Sequence, residues 1–360
     1  MRPATESTAH ASDMNSATLS TDSAVRTSHR KRLPASRHKA STVLKIVAIL
    51  IVGGLVVDKV LTIVDPAPQV GRWKSVEAKA AYAAAYDQAM AALPDPTRIL
   101  DVQTGFGSVR VLEWEGIEHG APVVLIPGRS SGAPMWIENL PDWIGKRTIY
   151  AMDPLGDAGF STQSVPLTSF DSQAEWIAQA LDGLGIDRAH IVGHSFGGAS
   201  AAVFAVHHRD KVATLTLLEP VLVIEPLPVS ALFWATITLL PVPRSMKDRA
   251  LAEIGGTTVA EVRERTPISV MINAASDGYA AELPLPKQLT DEEWASLDMP
   301  MRVDIAGTKS LAGAQDAVDR ISDLRPQATV TLWPDATHSL PMQERATLDP
   351  ALLEFWRTHS

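Results

Sequence analysis

No cysteine occurs among the 360 residues. Disulfides, thiolate-held metals and a cysteine nucleophile are therefore excluded, and the redox compartment is left undetermined. Two cofactor signatures are missing as well: there is no G-x-G-x-x-G fingerprint and no P-loop, and Gly197-Gly198 is not a phosphate loop. No cofactor and no metal are expected. Large apolar residues are almost absent from residues 1–42, which are rich in Ser, Thr and Ala and cannot form a core. The rest is apolar enough to fold, since 46% of the chain is hydrophobic, and its length suits one large α/β domain with additions. Charge is uneven. Residues 1–42 hold seven Lys and Arg against three Asp and Glu, so the net −9 divides into +4 there and −13 in the remainder. An acidic body argues against nucleic acid as a partner.

Residues 1–42 read as a disordered basic tail whose end, His29 to Lys39, is densely positive. The apolar segment 43–64 follows, long enough to span a bilayer as one helix. Lys45 can snorkel at one end, and Asp58 and Lys59 can pair near the other. Its uninterrupted core, Ile46 to Val57, also has the length of a secretory h-region, so signal cleavage and secretion form the competing account. No A-x-A-like site follows, and the preceding tail is long for a signal peptide, which favours an uncleaved single-pass anchor. The basic flank then stays cytoplasmic, and everything after Val64 lies outside.

Residues 65–96 read as a juxtamembrane spacer, Asp65-Pro66-Ala67-Pro68, and an Ala-rich helix from Val76 to Leu93 with Tyr82, Tyr86 and Met90 on one face. Such a helix serves as a packing element or a stalk. Strand-like runs Arg98 to Gln103 and Ser108 to Trp114 pair as a hairpin. From Pro122 strands and helices alternate, the pattern of a mostly parallel sheet covered on both faces. The strands are Val123 to Ile126, Thr148 to Met152, Ala189 to Val192, Val212 to Leu218, Met301 to Ala306 and Ala328 to Leu332. The helices are Pro134 to Trp143, Phe170 to Leu184, Ala199 to His208, Gly313 to Leu324 and Leu348 to Trp356. Between Val221 and Leu297 the rhythm breaks into Pro-punctuated, helix-like sequence too long for a loop. This predicts a helical cap inserted at about 221–298 of a domain spanning 97–358, preceded by one N-terminal transmembrane helix.

The stretch Gly193-His194-Ser195-Phe196-Gly197 fits G-x-S-x-G, between a strand-like run and a helix-forming one. In that context the motif is a nucleophile elbow: a serine on a strained turn, with Gly193 and Gly197 letting strand and helix approach closely. Together with Val123-Val124-Leu125-Ile126-Pro127-Gly128-Arg129, the segment Asp153 to Ser161 and the late Pro334-Asp335-Ala336-Thr337-His338-Ser339-Leu340-Pro341, the elbow makes Arg98 to Trp356 resemble the α/β-hydrolase family, within it the capped serine esterases and lipases. The resemblance implies an oxyanion hole of backbone N–H groups, for which Arg129 and Phe196 are the matching positions. The loop that usually begins His-Gly begins Pro127-Gly128 in this chain.

An acyl transfer needs a nucleophile, a base, a group orienting the base, and oxyanion donors. Ser195 is the nucleophile. Of ten histidines, His338 follows the last strand and keeps the order nucleophile, acid, histidine that the resemblance implies. His190 and His194 on the elbow strand read as packing residues, and His207 and His208 as caps at a helix end. For the acid, the family's usual G-x-x-D after Ala306 is replaced by Gly307-Thr308-Lys309-Ser310. Glu219, in Leu217-Leu218-Glu219-Pro220, stands where some members carry it; its plainer role is to begin the cap. Asp316 and Asp304 are the weaker alternatives.

A serine at the elbow argues against the epoxide-opening and dehalogenating relatives, which use aspartate. Ester hydrolysis is the leading reading, with amide, thioester or carbon–carbon cleavage behind it. The cap residues Ala231 to Trp234, Ile237, Leu239, Leu240 and Pro241 could bind an acyl chain or touch the membrane, although such a stripe also serves plain packing. The expected partners are a small apolar ester and the membrane. A degenerate hydrolase acting as a membrane-attached binding protein is the second class of function, with the missing aspartate at position 310 as its argument.

Overall fold

Residues 69–264 and 266–359 are described by the computed structural model. The tail and the apolar segment 43–64 lie outside the described residues. Among the described residues no helix is long and apolar enough to cross a membrane.

In chain order the strands are β1 (Arg72–Trp73), β2 (Arg98–Thr104), β3 (Gly107–Trp114), β4 (Glu118–Ile126), β5 (Arg147–Met152), β6 (Thr162–Gln163), β7 (Ala189–His194), β8 (Val212–Leu218), β9 (Tyr279–Ala280), β10 (Met301–Ala306) and β11 (Thr329–Trp333). The helices are α1 (Val76–Met90), α2 (Leu140–Trp143), α3 (Ser172–Leu184), α4 (Phe196–His207), α5 (Val229–Leu239), α6 (Arg244–Gly255), α7 (Val259–Arg263), α8 (Pro267–Gly278), α9 (Asp291–Ser296), α10 (Ala314–Leu324), α11 (Leu340–Gln343) and α12 (Arg345–Thr358). The main sheet runs β11-β10-β8-β7-β4-β5-β3-β2, with β6 on β3. From β11 to β5 the pairs are parallel, and β2 and β3 form the antiparallel edge. Val123 to Ile126 and all of β7 and β8 are buried, as befits central strands covered on both faces. Trp176, Phe204 and Ile321 pack one face, and Tyr82, Trp136, Trp143 and Trp356 the other.

Three sequence expectations shift. The helix expected over Pro134 to Trp143 is a 3-10 turn, Ala133–Glu138, followed by α2; Pro141 has no N–H to continue the first segment. The cap is shorter than 221–298. The backbone N–H of Leu289 donates to Val223 O at 2.9 Å, closing the insertion, and beyond it Trp294 and Leu297 are fully buried in the sheet core. Of the two readings of α1, packing element or stalk, the packing element holds. β1 pairs antiparallel with β9 of the cap, α1 packs along α8, and Tyr82, Ala85, Tyr86 and Ala89 are buried. The body therefore starts well before 97, with β1 at Arg72 already part of it.

The apolar cap stripe divides. Ala231 and Ile237 are buried, whereas Val229, Leu232, Phe233 and Leu240 are exposed. Plain packing accounts only for the first pair.

Candidate active site

The site lies at the carboxyl ends of the parallel strands. β7 ends in the elbow, where Ser195 takes φ 56° and ψ −121°, a backbone region that a non-glycine residue enters only when its surroundings force it. The surroundings do so on both sides. Ser195 N–H donates to Leu218 O at 3.0 Å, and Ser195 O accepts from Ala199 N–H at 3.0 Å and Val221 N–H at 3.2 Å. A Cβ on Gly197 would strike the carbonyl oxygens of Ile126 and Pro127, and one on Gly193 would strike Gly197. Glycine at these two places lets α4 and β4 close on the serine.

Ser195 Oγ lies 2.9 Å from His338 Nε2, and His338 Nδ1 lies 3.1 Å from Glu219 Oε2. Glu219 is fully buried and His338 nearly so, while Ser195 is partly exposed. Glu219 leaves β8 at φ 49°, its N–H held by Asp304 O at 3.0 Å. Its carboxylate accepts three further donors: Ala306 N–H at 2.8 Å, Ser310 Oγ–H at 2.8 Å and Leu311 N–H at 2.9 Å. The other two carboxylates are elsewhere. Asp316 is exposed on α10, and Asp304 is bound by Arg302 at 2.7 and 2.8 Å and by Trp333 Nε1 at 2.9 Å.

The loop after β4 lies directly on the elbow: a Cβ added at Gly128 would stand 3.2 Å from Ser195 Cβ. Gly128 N–H goes to Met135 Sδ at 3.3 Å and Ser130 N–H to Asp157 Oδ2 at 2.7 Å. Between them the N–H of Arg129 has no acceptor among the described residues. Phe196 opens α4, so its N–H has no intrahelical acceptor. Two backbone donors are thus available beside Ser195. The Arg129 guanidinium turns away, 5.6 Å over the Phe196 ring. Asp153 braces this loop by accepting from Ala133 N–H at 2.8 Å, Phe160 N–H at 2.7 Å and Tyr86 Oη at 3.3 Å.

His194 does more than pack. Its Nε2–H donates to the carbonyl oxygen of His338 at 2.9 Å, and the two rings lie 5.0 Å apart. Burial, with His338 close by, lowers its pKa to about 3, so it stays neutral. Nothing in sequence spacing marks this contact, which joins residues 144 positions apart. His190 is also held neutral, its pKa lowered to about 3 by burial and by Arg147. His207 and His208 face Asp171 at 3.6 Å and Glu175 at 3.5 Å. His119 and His359 are exposed.

Strand order, elbow, inserted cap and the late histidine loop together define a fold and a site. Residues 121–254 match the family model for the alpha/beta hydrolase fold, and the chain is similar in sequence and fold to carboxylesterase-like α/β hydrolases. It is similar to "Uncharacterized carboxylesterase nap" of Bacillus subtilis, with 23% identity over 78% of this chain and 93% of that protein. It is also similar to "2-hydroxymuconate semialdehyde hydrolase" of Pseudomonas putida, with 28% identity over 60% of this chain and 76% of that one. Among solved structures, carboxylesterase CesB (YbfK) from Bacillus subtilis superposes with a TM-score of 0.71 at 22% identity, over 78% of this chain and 99% of that one.

Proposed function

We propose that the chain hydrolyses a carboxylic ester through an acyl-enzyme on Ser195. The reading rests above all on the unbroken hydrogen-bonded row from Ser195 Oγ through His338 to Glu219. Ser195 Oγ attacks the ester carbonyl while His338 Nε2 takes its proton. Glu219 holds the imidazole in the required tautomer and stabilises the imidazolium. The negative oxygen of the tetrahedral intermediate accepts from the N–H groups of Arg129 and Phe196. His338 returns the proton to the departing alcohol, and a water, deprotonated by the same nitrogen, then releases the acid. The names of the similar carboxylesterases support an ester as substrate. The exposed Leu232, Phe233 and Leu240 of the cap favour an apolar one.

The same proposal places residues 43–64 in the membrane as an uncleaved anchor, residues 1–42 in the cytoplasm, and the body outside, on the strength of the basic flank before the apolar segment. Labelling by a fluorophosphonate probe, abolished in Ser195→Ala, tests the chemistry; an unlabelled wild type would favour a binding protein instead. A reporter fused after Trp73 that works only in the cytoplasm would overturn the topology.

A further inference from the structure

The hydroxyl of Ser310 has one proton and one place to send it. Its oxygen is approached by three backbone donors, the N–H groups of Ala312 at 3.1 Å, Gly313 at 3.3 Å and Ala314 at 3.1 Å. The acceptor for its proton is Glu219 Oε1 at 2.8 Å, and the side chain is buried. Ala314 is the first residue of α10 and Gly313 its N-cap, so the positive end of that helix polarises the hydroxyl and strengthens the bond it donates. At the other end, Ser310 and Ala306 N–H fix Oε1, while Leu311 N–H and His338 share Oε2. Without the hydroxyl, Oε1 keeps one donor, and the carboxylate can rotate away from the imidazole.

We propose that Ser310 is the positioning residue for the catalytic acid, a hydroxyl donor that turns Glu219 toward His338. The inference rests on the serine-hydrolase reading above. It also explains why no carboxylate follows Lys309. An aspartate at 310 would set a second negative charge against Glu219 in a buried site, where two such groups cannot both ionise. The pair of positions holds one carboxylate and one donor.

The test uses the full-length chain in detergent, with kcat and KM measured on p-nitrophenyl butyrate. Ser310→Ala is expected to lower kcat about tenfold to a hundredfold, the value of one hydrogen bond to a charged group, with KM unchanged. Ser310→Thr, which keeps the hydroxyl, is expected to retain most of the activity. In a Glu219→Gln background the alanine change should cost little more, because the group it positions is gone. Ser310→Asp should change sign with background, lowering kcat in the wild type and raising it in Glu219→Gln. Should the alanine variant not fold, Ser310→Cys, near-isosteric with a weak donor, carries the same expectation. Wild-type kcat in the folded variant, or an equal loss in both backgrounds, overturns the inference. A wild type that neither hydrolyses the ester nor takes the fluorophosphonate label overturns the function itself, and this role with it.

Discussion

His194 Nε2 lies 2.9 Å from the carbonyl oxygen of His338, so the residue before Ser195 fixes the backbone of His338. His194→Ala leaves that buried carbonyl without its donor, at about 1–3 kcal/mol. A fall in kcat of about tenfold with little change in KM is expected in steady-state kinetics on a p-nitrophenyl ester. An unchanged kcat would reduce His194 to packing.

The pKa of His194 has a second consequence. The folded state holds it near 3 and the unfolded chain near 6.5, so the unfolded state binds more protons between these values. The stability it contributes is complete above the unfolded value and is lost as pH falls through the window toward 3. Urea midpoints for His194→Ala should therefore fall less on acidification than those of the wild type. A parallel pH slope would reject the assignment.

Asp349 has the opposite sign. Burial, opposed by a hydrogen bond from Asn139 and reinforced by Asp142, pushes its carboxyl up to about 7, so the folded state holds the proton longer than the unfolded one. Its contribution is complete at low pH and is lost as pH rises through about 7. Asn139 also donates to Pro341 O at 2.8 Å, tying this group to the loop that carries His338. Asp349→Asn should flatten the decline in melting temperature between about pH 5 and about pH 8. A variant less stable than wild type at both ends would show that the carboxylate is held charged.

Glu219→Gln should lose turnover on the order of 10⁴-fold while folding normally, as when the acid of a comparable triad becomes its amide. Asp316→Asn should be silent, since Asp316 is exposed on α10. A collapse in Asp316→Asn with a working Glu219→Gln would exchange their roles.

Tyr86→Phe takes one donor, at 3.3 Å, from the buried Asp153 and should cost about 1–2 kcal/mol. Tyr82→Ala empties a site that is 1% exposed and should cost about 3–5 kcal/mol. Thermal melts of both variants check these values. Losses within about 0.5 kcal/mol, the range of ordinary surface changes, would make α1 a detachable stalk after all.

The core of the fold was legible because its strands are written as short apolar runs between helical ones, and buried parallel strands permit nothing else. The elbow was legible because Gly193 and Gly197 answer a local steric demand. Motif and order single out Ser195, His338 and Glu219, and the three lie in one hydrogen-bonded row. What spacing could not express was contact across the chain. The bond from His194 to the His338 loop, the hydroxyl of Ser310 on Glu219 and the pairing of Arg72–Trp73 with Tyr279–Ala280 depend on where distant segments meet. The cap boundary failed for a related reason: α9 has the composition of a cap helix, and only the burial of Trp294 returns it to the sheet.

The pairing of β1 with β9 also sets a timetable. Roughly 200 residues separate Trp73 from Tyr279, and at about 5–20 residues per second a ribosome takes on the order of 10–40 s to make them. Within that interval Asp153 and Ala158 arrive to hold Tyr86 and Tyr82, but α8 and β9 do not yet exist. The first part of the body to be synthesised is thus among the last to be fully covered, and a nascent chain stalled before Pro267 should leave open the side of α1 at Ala78, which Gly278 of α8 covers in the finished fold.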